Sequence, residues 1–182
     1  MKVTHLLGVA SLVMGEAGQV DFPVTEDMVI AALLHDAAED HGGSTRLEDI
    51  KQNYGANVAR MVEGLSDTLV EEPSQKPDWN ERKRAYLARL PGESAETRLI
   101  SAADKLYNAR TILDEYRIIG PEVWRRFKRG RKEQLCYFNG LISVFKSSGT
   151  NRIVAELERV VHELTELSAN ESAQADSTQP VA

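Results

Sequence analysis

Apolar residues recur at helical spacing along most of the chain, and alternation of the kind a half-buried strand needs is scarce. Leu6, Leu7, Val9, Ala10, Val13 and Met14 mark a first helix over 3–15, which Gly18 and Pro23 bring to an end. Thr25 followed by Glu26 and Asp27 predicts an N-cap with acids in the first turn, opening a helix over 26–40. His41-Gly42-Gly43-Ser44 ends it, and Thr45-Arg46-Leu47-Glu48 reads as a capping box opening a short helix to about Asn53. A further helix follows over 56–66, with Val58, Met61, Val62 and Leu65 inward. Residues 67–78 carry two prolines and mixed charge and predict a loop. Asp78 and Ser94 are N-cap candidates for a charged helix over 79–90 and a longer one to about Tyr116. Gly120-Pro121 restarts the chain, and two more helices are expected over 131–147 and 150–168. The expectation is an all-α bundle of roughly seven to nine helices over residues 1–168. From Ala169 the chain is Ser, Ala, Gln, Asn and Asp without periodicity, so 169–182 is expected to be a disordered tail.

Composition narrows what such a bundle can be. Its 182 residues suit one domain with a real core. The net charge of −6 disfavours general nucleic-acid binding. Cys136 is the sole cysteine, which excludes an internal disulfide framework and a cysteine-built zinc site. The longest apolar run, Met28 to Leu34, is too short to span a bilayer, and no signal-peptide pattern precedes it. A cytoplasmic protein without a membrane partner is expected; oligomeric state is left open.

Chemistry concentrates where that apolar run ends, at His35-Asp36-Ala37-Ala38-Glu39-Asp40. On one helix Asp36, Glu39 and Asp40 point roughly one way, and three acids on one face repel unless a cation or proton intervenes. His5, on the first helix, and Asp104, after Ile100, Ala102 and Ala103 in the middle of the long helix, complete a set of two imidazoles and two carboxylates. Such a mixed N/O set suits Mn²⁺, Fe²⁺, Mg²⁺ or Zn²⁺ with positions left open, rather than a closed structural zinc. Asp104, Asn108 and Thr111 fall at i, i+4 and i+7, one face offering a carboxylate, an amide and a hydroxyl. Lys105 and Arg110 either touch phosphate or pair with the acids. The basic run Arg125 to Lys132 is either a phosphate-binding element or a solvated junction. Trp124, Tyr137, Phe138 and Phe145 are read as packing for the C-terminal helices, and Cys136 as a small buried hydrophobe.

The order His, His-Asp, Asp resembles the HD-domain metal-dependent phosphohydrolases. The match extends through Thr4–Ala10, Ala31–Asp40 and Ala103–Arg110, with Thr45 to Gly64 similar to the intervening helices. His-Asp-x-x-Glu-Asp followed by Asp-Lys-Leu-x-Asn-x-Arg resembles the hydrolase domain of RelA/SpoT-type alarmone enzymes and the small alarmone hydrolases. The resemblance implies that His5, His35, Asp36 and Asp104 hold one Mn²⁺ ion. It implies that Glu39 and Asp40 position or activate the attacking water. It also implies that Asn108 contacts a nucleotide, with Thr111 and Lys105 near the same pocket. The implied reaction is (p)ppGpp 3′-pyrophosphohydrolysis to GDP or GTP and pyrophosphate. Hydrolysis of another nucleotide, and metal and nucleotide binding by a catalytically weak regulator, are the alternatives. The chain departs from the family before His5, where a further helix with a basic Arg/Lys-Gly segment is usual. Met1 stands only four residues before His5. A truncated chain, a misassigned start or an absent part of the pocket are the three readings of this, and guanine recognition is the property they bear on.

Overall fold

A computed structural model describes residues 2–149 and 151–177. Nine α-helices are found among these: α1 (Lys2–Met14), α2 (Glu26–Leu34), α3 (Ala37–Asp40), α4 (Gly43–Tyr54), α5 (Ala56–Leu65), α6 (Trp79–Arg89), α7 (Ala95–Ile119), α8 (Arg131–Ser147) and α9 (Arg152–Ser177). Short 3₁₀ turns occupy Pro73–Gln75, Leu90–Gly92 and Gly120–Arg126, and no strand is present among the described residues. The expected all-α bundle is observed.

Three of the expected caps form. Thr25 accepts from the Met28 amide at 3.4 Å, Asp78 from Asn80 at 2.9 Å and Ser94 from Thr97 at 3.2 Å. Each satisfies a backbone donor that the first helical turn leaves without an intrahelical partner. The capping box at Thr45 does not form. Instead α4 starts two residues earlier, at Gly43, from Gly42 in a left-handed conformation with φ 86°. Gly43 itself is fixed by a close approach: a Cβ there would lie 2.3 Å from the Leu69 carbonyl oxygen.

α7 is the axis of the bundle. It packs against α1, α2, α5, α8 and α9. Its buried residues run from Thr97 to Tyr116 and cover most of its circumference. Its middle turns are enclosed by the neighbouring helices, so Asp104 sits inside the protein, whereas Arg110, Asp114 and Arg117 on the same helix face outward. The aromatic residues Trp124, Tyr137, Phe138 and Phe145 are buried, as expected. Cys136 is exposed, contrary to expectation: it borders an open groove between α6 and α8.

α9 continues to Ser177, past Ser168, where the sequence suggests that the folded domain ends. No glycine or proline lies between Ala169 and Ser177 to break it. The remainder of the expected tail, 178–182, lies outside the described residues. No helix among those described is long and apolar enough to cross a membrane.

Candidate metal centre and adjoining cavity

His5 comes from α1, Asp104 from α7, and His35 and Asp36 from the corner between α2 and α3. The expected continuous helix over 26–40 is broken at that corner: α2 stops at Leu34, and α3 is a separate single turn. His35 supports the break with its own side chain, whose Nδ1–H donates to the Ala32 carbonyl at 2.7 Å. With Nδ1 carrying the proton, Nε2 presents a lone pair to the site.

The ligand atoms converge. His5 Nε2 and His35 Nε2 are 3.1 Å apart. Asp104 Oδ1 lies 3.2 Å from the first and 3.6 Å from the second. Asp36 Oδ1 is 3.3 Å from His35 Nε2, and Asp36 Oδ2 is 3.8 Å from His5 Nε2. Two imidazole lone pairs at 3.1 Å repel unless a proton or cation lies between them. His5, His35 and Asp36 together satisfy the spacing needed for one ion, and the Asp104 carboxylate adds oxygen to the same point. Hard oxygen and imidazole nitrogen are the donors a divalent first-row ion takes.

Electrostatics fit that role. Burial works against charge on His35, but the hydrogen bond and charge of Asp104, with Asp36, outweigh it and raise its pKa. Burial likewise opposes charge on Asp104, yet neighbouring Lys105 and the two imidazoles hold it well below the usual carboxylate range. Lys105 is held well above the ordinary lysine value despite burial, chiefly by Asp104. Its Nζ sits 2.5 Å from Asp104 Oδ2, and Asn108 Nδ2 donates to Asp104 Oδ1 at 2.8 Å. Lys105 therefore pairs with an acid, and Asn108 orients the carboxylate from one turn away.

A cavity of about 400 Å³ opens beside these groups and is lined also by Glu39, Asp67, Lys83, Tyr86 and Tyr137. An adjoining space of about 330 Å³ shares Lys83, Lys105, Asn108 and Tyr137 with it and extends to Thr111, Arg126 and Phe127. Thr111 thus lies in the second space, and its hydroxyl donates to the Tyr107 carbonyl at 3.0 Å. Asp40 is exposed at the end of α3 and lines neither. Glu39 and Asp40 are neighbours on α3, where consecutive side chains diverge by about 100°, so the two face different ways.

Asp67, Lys83 and Tyr137 are among the lining residues that the sequence does not single out as functional. Asp67 lies in the loop after α5 and is 3% exposed. Lys83 occupies the inner face of α6 with Trp79, Tyr86 and Leu90, at i, i+4, i+7 and i+11. A cation set in an otherwise apolar stripe was the legible signal. Tyr137 is buried as expected, but its hydroxyl has no hydrogen-bond partner in the cavity wall. Lys83 Nζ stands 5.1 Å from the Tyr137 ring centroid, and Lys105 Nζ 5.6 Å from that of Tyr86. The basic run after Trp124 does not act as one patch: Arg125 pairs with Glu122, Arg126 with Glu115 and Arg129 with Asp78.

A family model for the HD domain matches residues 2–127, and the chain belongs to the HD-domain family. Human guanosine-3′,5′-bis(diphosphate) 3′-pyrophosphohydrolase MESH1 is 34% identical over 155 residues, spanning 85% of this chain and 75% of the relative. A solved structure of lmo0812 from Listeria monocytogenes EGD-e superposes with TM-score 0.70 at 27% identity, covering 89% of this chain and 99% of that one. A second, of a metazoan SpoT ortholog described as hydrolysing ppGpp, gives TM-score 0.65 at 26% identity, covering 88% and 80%.

Proposed function

We propose that this protein is a Mn²⁺-dependent (p)ppGpp 3′-pyrophosphohydrolase of the cytoplasm. One observation carries the reading: the side chains of His5, His35, Asp36 and Asp104, the Glu39 and Asp67 carboxylates and two lysines line one cavity. MESH1 and the SpoT ortholog, which resemble the chain over most of its length, supply the substrate class.

His5, His35, Asp36 and Asp104 are assigned to the ion. Bound there, Mn²⁺ supplies Lewis-acid chemistry, drawing charge from the phosphoryl oxygens and acidifying water. Glu39 is assigned to orienting the attacking water. Its pKa is raised by burial and by the charge of Asp67, which suits a carboxylate that takes up a proton during the reaction. Asp40, exposed one residue on, is assigned to exchange of that proton with solvent. Lys83 and Lys105 offset the negative charge of the substrate, while Asn108 and Thr111 border the space for the nucleoside. In the reaction the water oxygen bonds to the phosphorus attached to O3′, the O3′–P bond breaks, and O3′ takes a proton. Pyrophosphate leaves, and GDP or GTP remains.

The test is purified protein with Mn²⁺, assayed against ppGpp, pppGpp and a panel of simple nucleotides. Stoichiometric pyrophosphate and GDP from ppGpp are expected. Phosphate release from simple nucleotides instead identifies a different phosphohydrolase, and nucleotide binding without turnover identifies a regulator.

A further inference from the structure

The corner that follows α5 is fastened to α6 by three cations. Arg82 Nη1 donates to both Asp67 oxygens, at 2.6 and 2.7 Å, and Lys83 Nζ to Asp67 Oδ2 at 2.8 Å. One turn and a half along the helix, Arg89 donates to the carbonyls of Gly64 and Ser66. Ser66 closes the corner from within, its hydroxyl donating to the Val62 carbonyl at 2.9 Å. So many charged bonds onto Gly64, Ser66 and Asp67 leave the corner little freedom. Besides the Asp67 carboxyl, the corner offers Glu39 a backbone donor: the Asp67 N–H, 3.1 Å from Glu39 Oε2. The second Glu39 oxygen lies 3.8 Å from Arg82 Nη1.

We infer that Asp67, locked by Arg82 and Lys83, is a positioning residue that fixes the orientation of the Glu39 carboxylate in the cavity. This role rests on the reading of Glu39 as the group that orients water. Asp67 acts in two ways. Its side chain clamps the corner, and its own N–H takes one acceptor position on Oε2, which holds the carboxylate plane in one orientation toward the water. Arg82 belongs to the clamp but lines neither the metal cavity nor the adjoining space. A carboxylate free to rotate would spend part of its time with no lone pair toward the reacting water, which lowers turnover more than binding.

Three variants test this in the full chain loaded with Mn²⁺: Asp67→Asn, Arg82→Met and Glu39→Gln, assayed with ppGpp at a temperature where circular dichroism shows all of them folded. The expectation for Asp67→Asn and Arg82→Met is full metal content, kcat reduced tenfold or more, and KM within threefold of the parent. In the Glu39→Gln background, Asp67→Asn should lower kcat no further. If Glu39→Gln lowers kcat while both clamp variants stay within twofold of the parent, the positioning role is wrong. It is equally wrong if their loss lies in KM or follows lost metal. If Glu39→Gln itself retains kcat, the water-orienting reading fails first, and the role of Asp67 with it.

Discussion

The ring of Tyr107 occupies the space where a side chain on residue 8 would stand: a Cβ on Gly8 would lie 2.0 Å from Tyr107 Cε2. The same ring packs edge-on against His5, with centroids 5.1 Å apart, and His5 in turn meets His35 at 5.0 Å. Gly8 therefore lets α1 approach α7 closely enough for an imidazole on the first helix to share a point with a carboxylate on the seventh.

Gly8→Ala should push the Tyr107 ring aside and His5 with it. Overpacking of this kind costs about 1–3 kcal/mol, and metal affinity should fall in parallel because one ligand is displaced. Thermal unfolding and Mn²⁺ titration measure the two effects. An unchanged melting temperature together with unchanged affinity would show that Tyr107 yields freely and does not set His5.

Asp104→Asn should release the ion and also destabilise the apo protein. Removing this charge takes a ligand from the centre and leaves Lys105, 15% exposed, without its partner. Breaking a buried pair costs about 3–5 kcal/mol when both members are desolvated. Metal content by elemental analysis should be negligible after dialysis against Mn²⁺-free buffer, and the melting temperature should drop even with chelator present. Retention of full metal content would remove Asp104 from the ligand set.

Much of this was legible in the chain. The candidate ligands stand out because acids and histidines seldom follow segments such as Met28–Leu34 or Ile100–Ala103 by accident, and the caps at Thr25, Asp78 and Ser94 are local signals that survive folding. The break between Leu34 and Ala37 was not legible, because it depends on a side-chain bond from His35 to Ala32 within a segment of unbroken helical pattern. Asp67 was hidden for another reason. Its importance comes from Arg82 and Lys83, fifteen and sixteen residues away, and from a backbone N–H, which carries no side-chain signature. Cys136 shows the converse error: a residue type that is usually buried stands outside.

Acid should loosen the corner at Asp67. Burial opposes its charge, but Lys83, Glu39 and Arg82 bring its pKa down to about 2. A depressed carboxylate contributes stability above its unfolded pKa, about 3.9, and loses it as pH falls toward the folded value. Glu39, whose pKa is raised, acts oppositely: ionising it costs stability as pH rises through its own range. Urea midpoints between pH 5 and 2 should therefore fall steeply in the parent, with Asp67 contributing on the order of 2 kcal/mol. Asp67→Asn should lower the midpoint at pH 5 and flatten the slope below pH 4. A parallel curve, displaced but equally steep, would mean that other carboxylates govern the acid limb.

Glu16 is 3% exposed, while its partner Arg152, at the start of α9, is 63% exposed. Arg152 donates to Glu16 Oε1 through Nε at 3.2 Å and Nη2 at 2.8 Å, and to the Gly15 carbonyl at 2.9 Å. Glu16 Oε2 has no hydrogen-bond partner among the described residues. The pair is therefore asymmetric, with the carboxylate desolvated and the guanidinium still in water. Arg152→Met should leave a buried charge uncompensated and cost about 2 kcal/mol, less than a fully buried pair because solvent screens the arginine. Glu16→Gln removes the charge but keeps the shape, so it should cost less. The double variant should be more stable than Arg152→Met alone, since the stranded charge is gone. Urea denaturation of the three variants decides the matter. If Arg152→Met unfolds at the parent's midpoint, the bridge between α1 and α9 is a solvent contact with no share in stability.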